Sequence, residues 1–267
     1  MSAEKIIQER LDKIEREQGV RILYACESGS RAWNFASKDS DYDVRFIYVR
    51  DLAWYLSIYE GRDVIEEPIL DEFDINGWDL RKFLRLTHKS NVVVFEWLKS
   101  PIIYRKAAGW EAVNALCFEY FSVKASLYHY FNIARNQHRL YLVPPEIKFK
   151  KFFYALRPLL FFCYILIEHT PAPMDFLELL SYAKCGGFIS SEVELNIQKL
   201  YALKVKSAEA DKIGIDFDAS ALLAWIERTL RWCEDELKNL KNFNENSSKL
   251  GTAELDEVFY KMICEKI

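Results

Sequence analysis

The sequence predicts an α+β fold, in which a mixed sheet with flanking helices is followed by an all-helical bundle. As far as about Arg105, short runs rich in Val, Ile, Tyr and Phe alternate with helical segments, which is typical of a mixed sheet. From Trp110 onward, almost every segment has helical periodicity. We therefore predict two domains, residues 1–108 and residues 109–267.

The N-terminal part begins with a charged amphipathic helix, "MSAEKIIQERLDKIEREQGV". Ile6, Leu11 and Ile14 are available for its apolar face. The segments that follow are predicted as strands at "RILYAC", "YDVRFIYV", "DVIEEPI" and "EFDING", with a short helix around "DLAWYLS".

The C-terminal part is predicted as a series of helices with clear boundaries. Ser122 is a plausible N-cap for the first of them, and Pro144-Pro145 ends it. A helix over Glu146 to His169 is expected to kink at Pro158, which lacks a backbone N–H. Further helices are "MDFLELLSYA", "SSEVELNIQKLYALKVKSA", "DASALLAWIERTLRWCEDELKNLKNF" and "TAELDEVFYKMICEKI", with Gly186-Gly187 and the polar linker "NENSSKLG" among the connections.

Composition excludes several classes of protein. A formal net charge of −4 argues against a generally basic nucleic-acid coat, so any such contact needs a local basic patch. The six cysteines show no zinc-like spacing, and neither do His88, His129 and His138, which predicts buried free thiols in a reducing cytoplasm. No export signal is visible, and the most apolar run, Phe152 to Ile167, is too short to span a bilayer. We expect a cytoplasmic protein without a membrane partner; its oligomeric state is left open.

Two aspartates stand where a strand would normally be apolar. Asp41 and Asp43 are two residues apart, so on a strand they project to the same side of the sheet. Two carboxylates this close repel each other, and a shared divalent cation relieves that repulsion because hard cations prefer carboxylate oxygens. Taken alone, the pair is better explained as solvated carboxylates at a strand edge, one of them capping a turn, because acidic pairs are common in loops.

The preceding turn favours the metal hypothesis. Gly29 and Ser30 directly follow a predicted strand, so the turn exposes backbone N–H groups and a hydroxyl to a phosphate. A phosphate-binding turn about ten residues before a DxD motif is the arrangement that phosphoryl or nucleotidyl transfer needs.

At these residues the sequence resembles the DNA polymerase β superfamily of nucleotidyltransferases, whose signature is Gly-Ser, a short helix and DxD. It is still more similar to RlaP, the RNA-ligase-associated group of that superfamily. The similar stretches are "ESGSRAWNFASKDSDYDVRFIYV", "DINGWDLRKFL", "KSNVVVFEWLKSPIIY" and "KKFFYALRPLL". Asn34 replaces an expected glycine, and Asn tolerates the left-handed conformation better than most residues. The resemblance implies a pol-β-type sheet, a catalytic domain over residues 1–108 and a substrate-binding domain over residues 109–267.

The resemblance also implies a third carboxylate on a neighbouring strand. Asp74 is the choice, because it lies on an extended stretch just before a helix, whereas Asp79 fits the N-cap of that helix. The competing candidates are Asp71, Glu72 and Glu66-Glu67.

The roles follow from two-metal chemistry. Asp41 and Asp43 would hold two Mg²⁺ or Mn²⁺ ions, and Asp74 would complete the site of the catalytic ion and help to deprotonate the acceptor. Gly29 and Ser30 would hold the phosphates of an NTP. Arg31 is a further triphosphate ligand or a partner of Asp39 or Asp41.

The helical part offers a basic stripe, because Lys150, Tyr154 and Arg157 lie at i, i+4 and i+7 on one helix face. We predict Lys150 and Arg157 as phosphate ligands; surface charge, with Arg157 paired to a buried carboxylate, is the alternative. A second basic face, of Arg81, Lys82, Arg85 and Lys89, is expected to be solvent-exposed.

Two classes of function remain. The first is a nucleotidyltransferase that moves an NMP from an NTP onto RNA, a protein or a small molecule and releases pyrophosphate. The second is a catalytically silent, nucleotide-binding regulatory protein. The complete carboxylate set favours the enzyme, and the resemblance associates it with RNA repair and a possible RNA acceptor.

Overall fold

The computed structural model describes residues 2–69, 71–143, 147, 149–206, 219–240 and 250–264, with the backbone alone at residues 149, 150 and 206. Pro144-Pro145, Glu146 and most of the predicted linker lie outside these ranges. The chain forms two compact units. Unit 1 comprises Met1–Ala32, Asp41–Phe121 and Ser247–Ile267, and unit 2 comprises Trp33–Ser40 and Ser122–Asn246.

Unit 1 contains a mixed five-stranded sheet. Its strands are β1 (Arg21–Glu27), β2 (Tyr42–Val49), β3 (Val64–Glu66), β4 (Phe73–Asp79) and β5 (Ile103–Lys106). Their order is β3-β4-β2-β1-β5, with β2 and β4 parallel and the other neighbours antiparallel. The first four strands confirm the sequence-based prediction. β5 was not predicted, because this edge strand has no buried residue and therefore lacks the usual alternation of apolar and polar side chains.

The predicted helices are present in the predicted order, and α4 and α5 are additional to those predicted individually. They are α1 (Ala3–Gln18), α2 (Leu52–Tyr55), α3 (Leu80–His88), α4 (Val92–Leu98), α5 (Trp110–Glu119), α6 (Val123–Tyr141), α7 (Phe149–Glu168), α8 (Phe176–Cys185), α9 (Ser191–Lys206), α10 (Ala219–Asn239) and α11 (Ala253–Cys264). Two predicted N-caps are confirmed: Ser122 accepts a hydrogen bond from the N–H of Ala125 at the start of α6, and Asp79 caps α3. None of the described helices is long and apolar enough to cross a membrane.

Helices cover both faces of the sheet in unit 1. α1 covers one face with Ile7, Leu11 and Ile14, which pack with the even-numbered residues of β2. The predicted Ile6 is partly buried and packs against the same cluster, and Ile7, which was not predicted, lies at i−4 from Leu11 and completes the buried stripe. The opposite face carries the odd-numbered residues of β2 and is covered by residues of α3, α4, α5 and α11.

Unit 2 consists of helices α6 to α10 and the loop Trp33–Ser40. The loop anchors itself with aromatic contacts, because the Phe35 ring packs on Phe153 and Phe176 with centroid distances of 4.9 and 5.7 Å. Asn34 has a φ of 59°, the left-handed conformation that its position in place of glycine predicts. All six cysteines are free thiols, as predicted, although Cys185 and Cys264 are exposed.

Candidate active site

The start of β2 presents the two aspartates of the DxD motif. Asp43 is the second residue of the strand and is half-buried, whereas Asp41 is exposed and immediately precedes the strand. Val44 and Phe46 face the core under α1, so Asp43 and Arg45 project from the opposite face of the sheet. The Asp41 carboxylate makes no hydrogen bond to the described part of the chain, which leaves its oxygens available to a ligand.

Asp74 lies directly beside Asp43. β2 and β4 are parallel neighbours, and the register pairs Asp43 with Asp74 across the two strands. Ile75 points to the core on the α1 side, so Asp74 shares the face of Asp43. Two carboxylates from different parts of the chain are thereby brought to the same edge of the sheet.

Arg45 bridges these two carboxylates. Its Nη2 donates to Asp74 Oδ2 at 2.7 Å and to Asp43 Oδ1 at 3.3 Å. Its Nη1 donates to the backbone carbonyls of Val44 and Asp74 at 3.0 and 2.8 Å, which fixes the guanidinium in place. The positive charge thus occupies the position where two negative charges would otherwise repel each other.

The turn after β1 approaches the Asp43 carboxylate closely. A Cβ atom added to Gly29 would lie 1.7 Å from Asp43 Oδ2, so only glycine fits beside this side chain. The N–H of Ser28 donates to the Asp43 carbonyl at 2.9 Å, which ties the turn to β2. Residues 30–34 form turns rather than the short helix of the superfamily signature.

Ser30 and Arg31 line the same turn. Ser30 is half-buried and makes no hydrogen bond within the described ranges, so its N–H and hydroxyl can both donate to a phosphate. The Arg31 guanidinium stacks on the Tyr42 ring at 3.7 Å, and its Nε donates to the Asp41 carbonyl at 3.2 Å. Arg31 therefore stands beside the start of β2 with its charge close to Asp41.

Glu27 is a site residue that the sequence analysis missed. It ends β1, is fully buried, and uses its carboxylate to connect three segments. One oxygen accepts from the N–H groups of Asp43 at 2.8 Å and Gly29 at 3.3 Å, and the other accepts from the Tyr104 hydroxyl at 2.6 Å. A charged residue at the end of the apolar run "RILYAC" was the available signal, since a buried charge needs such partners.

The electrostatics of the site centre on Asp43. Burial raises its pKa to about 6, and the neighbouring carboxylates of Glu27, Asp74 and Asp41 act in the same direction. The Arg45 guanidinium opposes them and lowers the pKa. The site therefore concentrates four carboxylates against the guanidinium groups of Arg45 and Arg31, and such an excess of negative charge attracts a further cation.

The competing carboxylates have other partners. Asp71 forms an ion pair with Arg10, and Glu66 forms one with Arg62. Asp79 accepts from the Tyr55 hydroxyl and caps α3. Glu72 is exposed and contributes its backbone carbonyl to the N–H of Tyr42.

The predicted phosphate ligands of the helical part are placed differently. Arg157 belongs to unit 2 and is buried there, with its guanidinium 4.0 Å from the Trp33 ring centroid and 4.5 Å from that of Phe161. The Lys150 side chain lies outside the described residues. The role of both residues in binding an NTP stays a prediction.

The donor set fits a divalent cation. Within the described ranges, no three His, Cys, Asp or Glu side chains are already arranged around one metal position. The carboxylates of Asp43 and Asp74 are not arranged around a metal position because both are paired with the positively charged Arg45 guanidinium. Carboxylate oxygens are the ligands that Mg²⁺ and Mn²⁺ prefer, and Asp41 adds a third nearby.

Comparison with known proteins places the chain in a family. The model of RlaP, described as the RNA repair pathway DNA polymerase beta family, matches residues 3–261. A Bacillus subtilis (strain 168) protein named "Uncharacterized protein YcgL" is 42% identical over 258 residues, which cover 96% of this chain and 97% of that protein. A crystal structure of a nucleotidyltransferase-like protein from Exiguobacterium sibiricum 255-15 aligns with 88% of this chain and 75% of its own, at a TM-score of 0.32 and 12% identity. Because the family model matches nearly the whole chain, this protein belongs to the RlaP family of DNA polymerase β-type nucleotidyltransferases.

Proposed function

We propose that the protein transfers an NMP from an NTP to an acceptor hydroxyl in a metal-dependent reaction. One observation carries the proposal. Asp43 and Asp74 stand in register on parallel strands, and Gly29 approaches the Asp43 carboxylate so closely that no side chain fits between them. A phosphate bound at the turn would therefore lie beside the carboxylates, where a divalent cation can contact both.

The chain's own residues have distinct parts in this reaction. Asp41, Asp43 and Asp74 would hold the divalent ions, which neutralise phosphate charge and lower the pKa of the acceptor hydroxyl. Ser30 donates its N–H and hydroxyl to the outer phosphates, because the Gly29 N–H is already bonded to Glu27. Arg31 adds positive charge near Asp41.

The transfer exchanges one phosphorus–oxygen bond for another and moves one proton. The acceptor oxygen forms a bond with the α-phosphorus, and the bond from the α-phosphorus to the bridging oxygen breaks. Pyrophosphate leaves with that electron pair, and Asp74 accepts the proton of the acceptor hydroxyl. Glu27 holds the turn and β2 together through its hydrogen bonds, which keeps the phosphate site and Asp43 at a fixed separation.

The acceptor is proposed to be RNA, on the basis of the family to which the chain belongs. The test uses each α-³²P-labelled NTP with Mg²⁺ or Mn²⁺, with and without a short RNA that ends in a 3′-hydroxyl. Label on the RNA and pyrophosphate in solution are the expected products. Label on the protein itself would identify a protein acceptor instead.

Matched variants assign the chemistry to the site. Asp43→Asn and Asp74→Asn each remove one carboxylate charge and should abolish transfer. Asp71→Asn makes the same change at an exposed carboxylate outside the site and should retain full activity. Full activity in Asp43→Asn would overturn the proposal. Tight NTP binding by the wild type without any transfer or pyrophosphate release would identify the silent regulatory protein instead.

A further inference from the structure

A second charged cavity lies in unit 1, on the face formed by α3 and α11. It has a volume of about 500 Å³, within the range of about 300–1,000 Å³ that is usual for small-molecule sites. Its lining includes none of the residues assigned above to nucleotidyl transfer. It requires an explanation of its own.

The α3 side of this cavity is positively charged. Arg81, Arg85 and Lys89 line it together with the ring of His88, whereas Asp256 is the single carboxylate among the lining residues. The chain as a whole has a formal net charge of −4, so this concentration of positive charge is local and opposite in sign to the rest of the protein. Arg81, Arg85 and Lys89 belong to the basic face that was predicted to be solvent-exposed.

Two of these cations are available to a ligand. Lys89 is exposed, and its ammonium group makes no ion pair or hydrogen bond within the described part of the chain. Arg85 contacts Glu60 at 3.4 Å, but the two side chains are 59% and 72% exposed, so this pair contributes little and can exchange. Arg81, in contrast, is fixed over the rings of Tyr55 and Phe259.

The remaining lining supplies an apolar surface beside the charge. Phe259 of α11 is the main apolar group of the lining, since Leu84 and Leu255 also line the cavity but are almost fully buried in the core of unit 1. Thr252 and Asp256 add a hydroxyl and a carboxylate, which can bond to hydroxyl or amino groups of a ligand. Cations beside an aromatic ring and a hydrogen-bonding edge match a phosphate joined to a ring system.

We propose that this cavity binds a nucleotide, with its phosphate on Arg85 and Lys89 and its base against Phe259. The nucleotide is either a free mononucleotide or the 5′-phosphorylated end of an oligonucleotide. This site is additional to the transfer site and binds without a metal ion.

The test is calorimetric titration of the full-length protein in EDTA, where metal-dependent binding at the transfer site is suppressed. The probes are AMP, adenosine and inorganic phosphate. We expect AMP to bind. Adenosine lacks the charged contacts and inorganic phosphate lacks the ring, so each should bind about tenfold or more weakly than AMP. A trinucleotide with a 5′-phosphate distinguishes the two sources, and the same trinucleotide without the phosphate is its control. If the phosphorylated trinucleotide binds more tightly than AMP, the ligand is a strand end. If it binds more weakly than AMP, the ligand is a free nucleotide.

Variants locate the binding. The Arg85→Ala/Lys89→Ala double variant should lose AMP affinity by about tenfold or more, since it removes charge-assisted contacts. The Lys89→Glu variant changes only an exposed side chain that makes no ion pair in the described part of the chain, and it keeps the backbone N–H that bonds to Thr87, so it should keep the fold and lose affinity similarly. The Arg62→Ala variant removes a cation that lies just before β3 and outside the cavity, so it should bind AMP normally. Absence of AMP binding at millimolar concentration, unchanged affinity in both cavity variants, or loss of binding in Asp43→Asn would each overturn the proposal. None of these results depends on turnover, so the proposed transferase activity is tested separately.

Discussion

Arg45→Met is the substitution that most directly tests the charge arrangement of the transfer site. Methionine keeps much of the side-chain volume but removes the guanidinium that contacts Asp43 and Asp74. In the metal-free protein, two half-buried carboxylates then face each other without a cation. We expect a lower free energy of unfolding.

The size of this loss follows from burial. Breaking a fully buried ion pair costs about 3–5 kcal/mol, and breaking an exposed pair costs about 0–1 kcal/mol. Arg45 is 17% exposed and its partners are 30% and 29% exposed, so the contacts lie between these limits. We expect a loss of about 2–3 kcal/mol in EDTA. At about 2–4 °C per kcal/mol for a chain of this size, Tm should fall by about 4–12 °C.

Divalent metal should reverse this loss. An ion that binds Asp43 and Asp74 must displace Arg45 in the wild type but not in the variant, so the variant should bind the ion more tightly. Ligand binding to the folded state raises stability, and the difference in Tm between wild type and variant should therefore narrow as Mn²⁺ is added.

The assay is a thermal melt of both proteins in EDTA and across a Mn²⁺ titration. Arg62→Met is the matched control, because Arg62 forms an ion pair with Glu66 in which the side chains are 70% and 52% exposed. It should change stability by less than about 1 kcal/mol. Equal Tm values for Arg45→Met and the wild type in EDTA would refute this expectation. So would a difference in Tm that becomes larger as Mn²⁺ is added.

Three further predictions concern single residues. Burial raises the pKa of Asp43 from 3.8 to about 6, so the folded metal-free protein binds a proton that the unfolded chain has released. Its stability should therefore fall as the pH rises from about 4 to about 6; denaturant melts should show this decline in the wild type and its absence in Asp43→Asn. Gly29→Ala places a methyl group on the Asp43 carboxylate, so it should abolish transfer and lower Tm; an active, equally stable variant would show that this close approach is not required. Arg157→Ala removes a buried guanidinium stacked on Trp33 and should lower Tm by several degrees; titration with a non-hydrolysable NTP and Mg²⁺ tests the predicted phosphate contact, which unchanged affinity would exclude.

Local patterns allowed most of the elements to be predicted, and long-range pairing explains what was missed. β1, β2 and β4 are buried runs of β-branched and aromatic residues, so their periodicity was sufficient. β5 is a short edge strand whose side chains are at most half-buried, so no pattern marks it. Nothing in the sequence of α11 indicates that it packs against α3 and α5, because an apolar helix face does not identify its partner.

The same limit applies to the candidate site. Asp74 was chosen for its place on an extended stretch before a helix, yet its alignment with Asp43 depends on a parallel pairing that skips α2 and β3. Strand order of this kind is not encoded in local periodicity. The period-two rule could have indicated Arg45, since it lies two residues after Asp43 and shares its face.

The motif begins with a buried acid, Glu27, and the reason lies in its contacts with the turn and in its effect on Asp43, which Arg45 opposes. Glu27 uses one carboxylate oxygen to bond the N–H groups of Gly29 and Asp43, so it fixes the turn against β2 without side-chain contact from either residue. A Glu27→Gln substitution would retain one acceptor oxygen but also bring an NH₂ donor toward the Tyr104 hydroxyl. The negative charge of Glu27 also raises the pKa of Asp43, whereas Arg45 lowers it. The residue that holds the turn in place thus makes the metal-free site electrostatically unfavourable, and a divalent cation can relieve that repulsion more fully than Arg45 does, since it carries twice the charge.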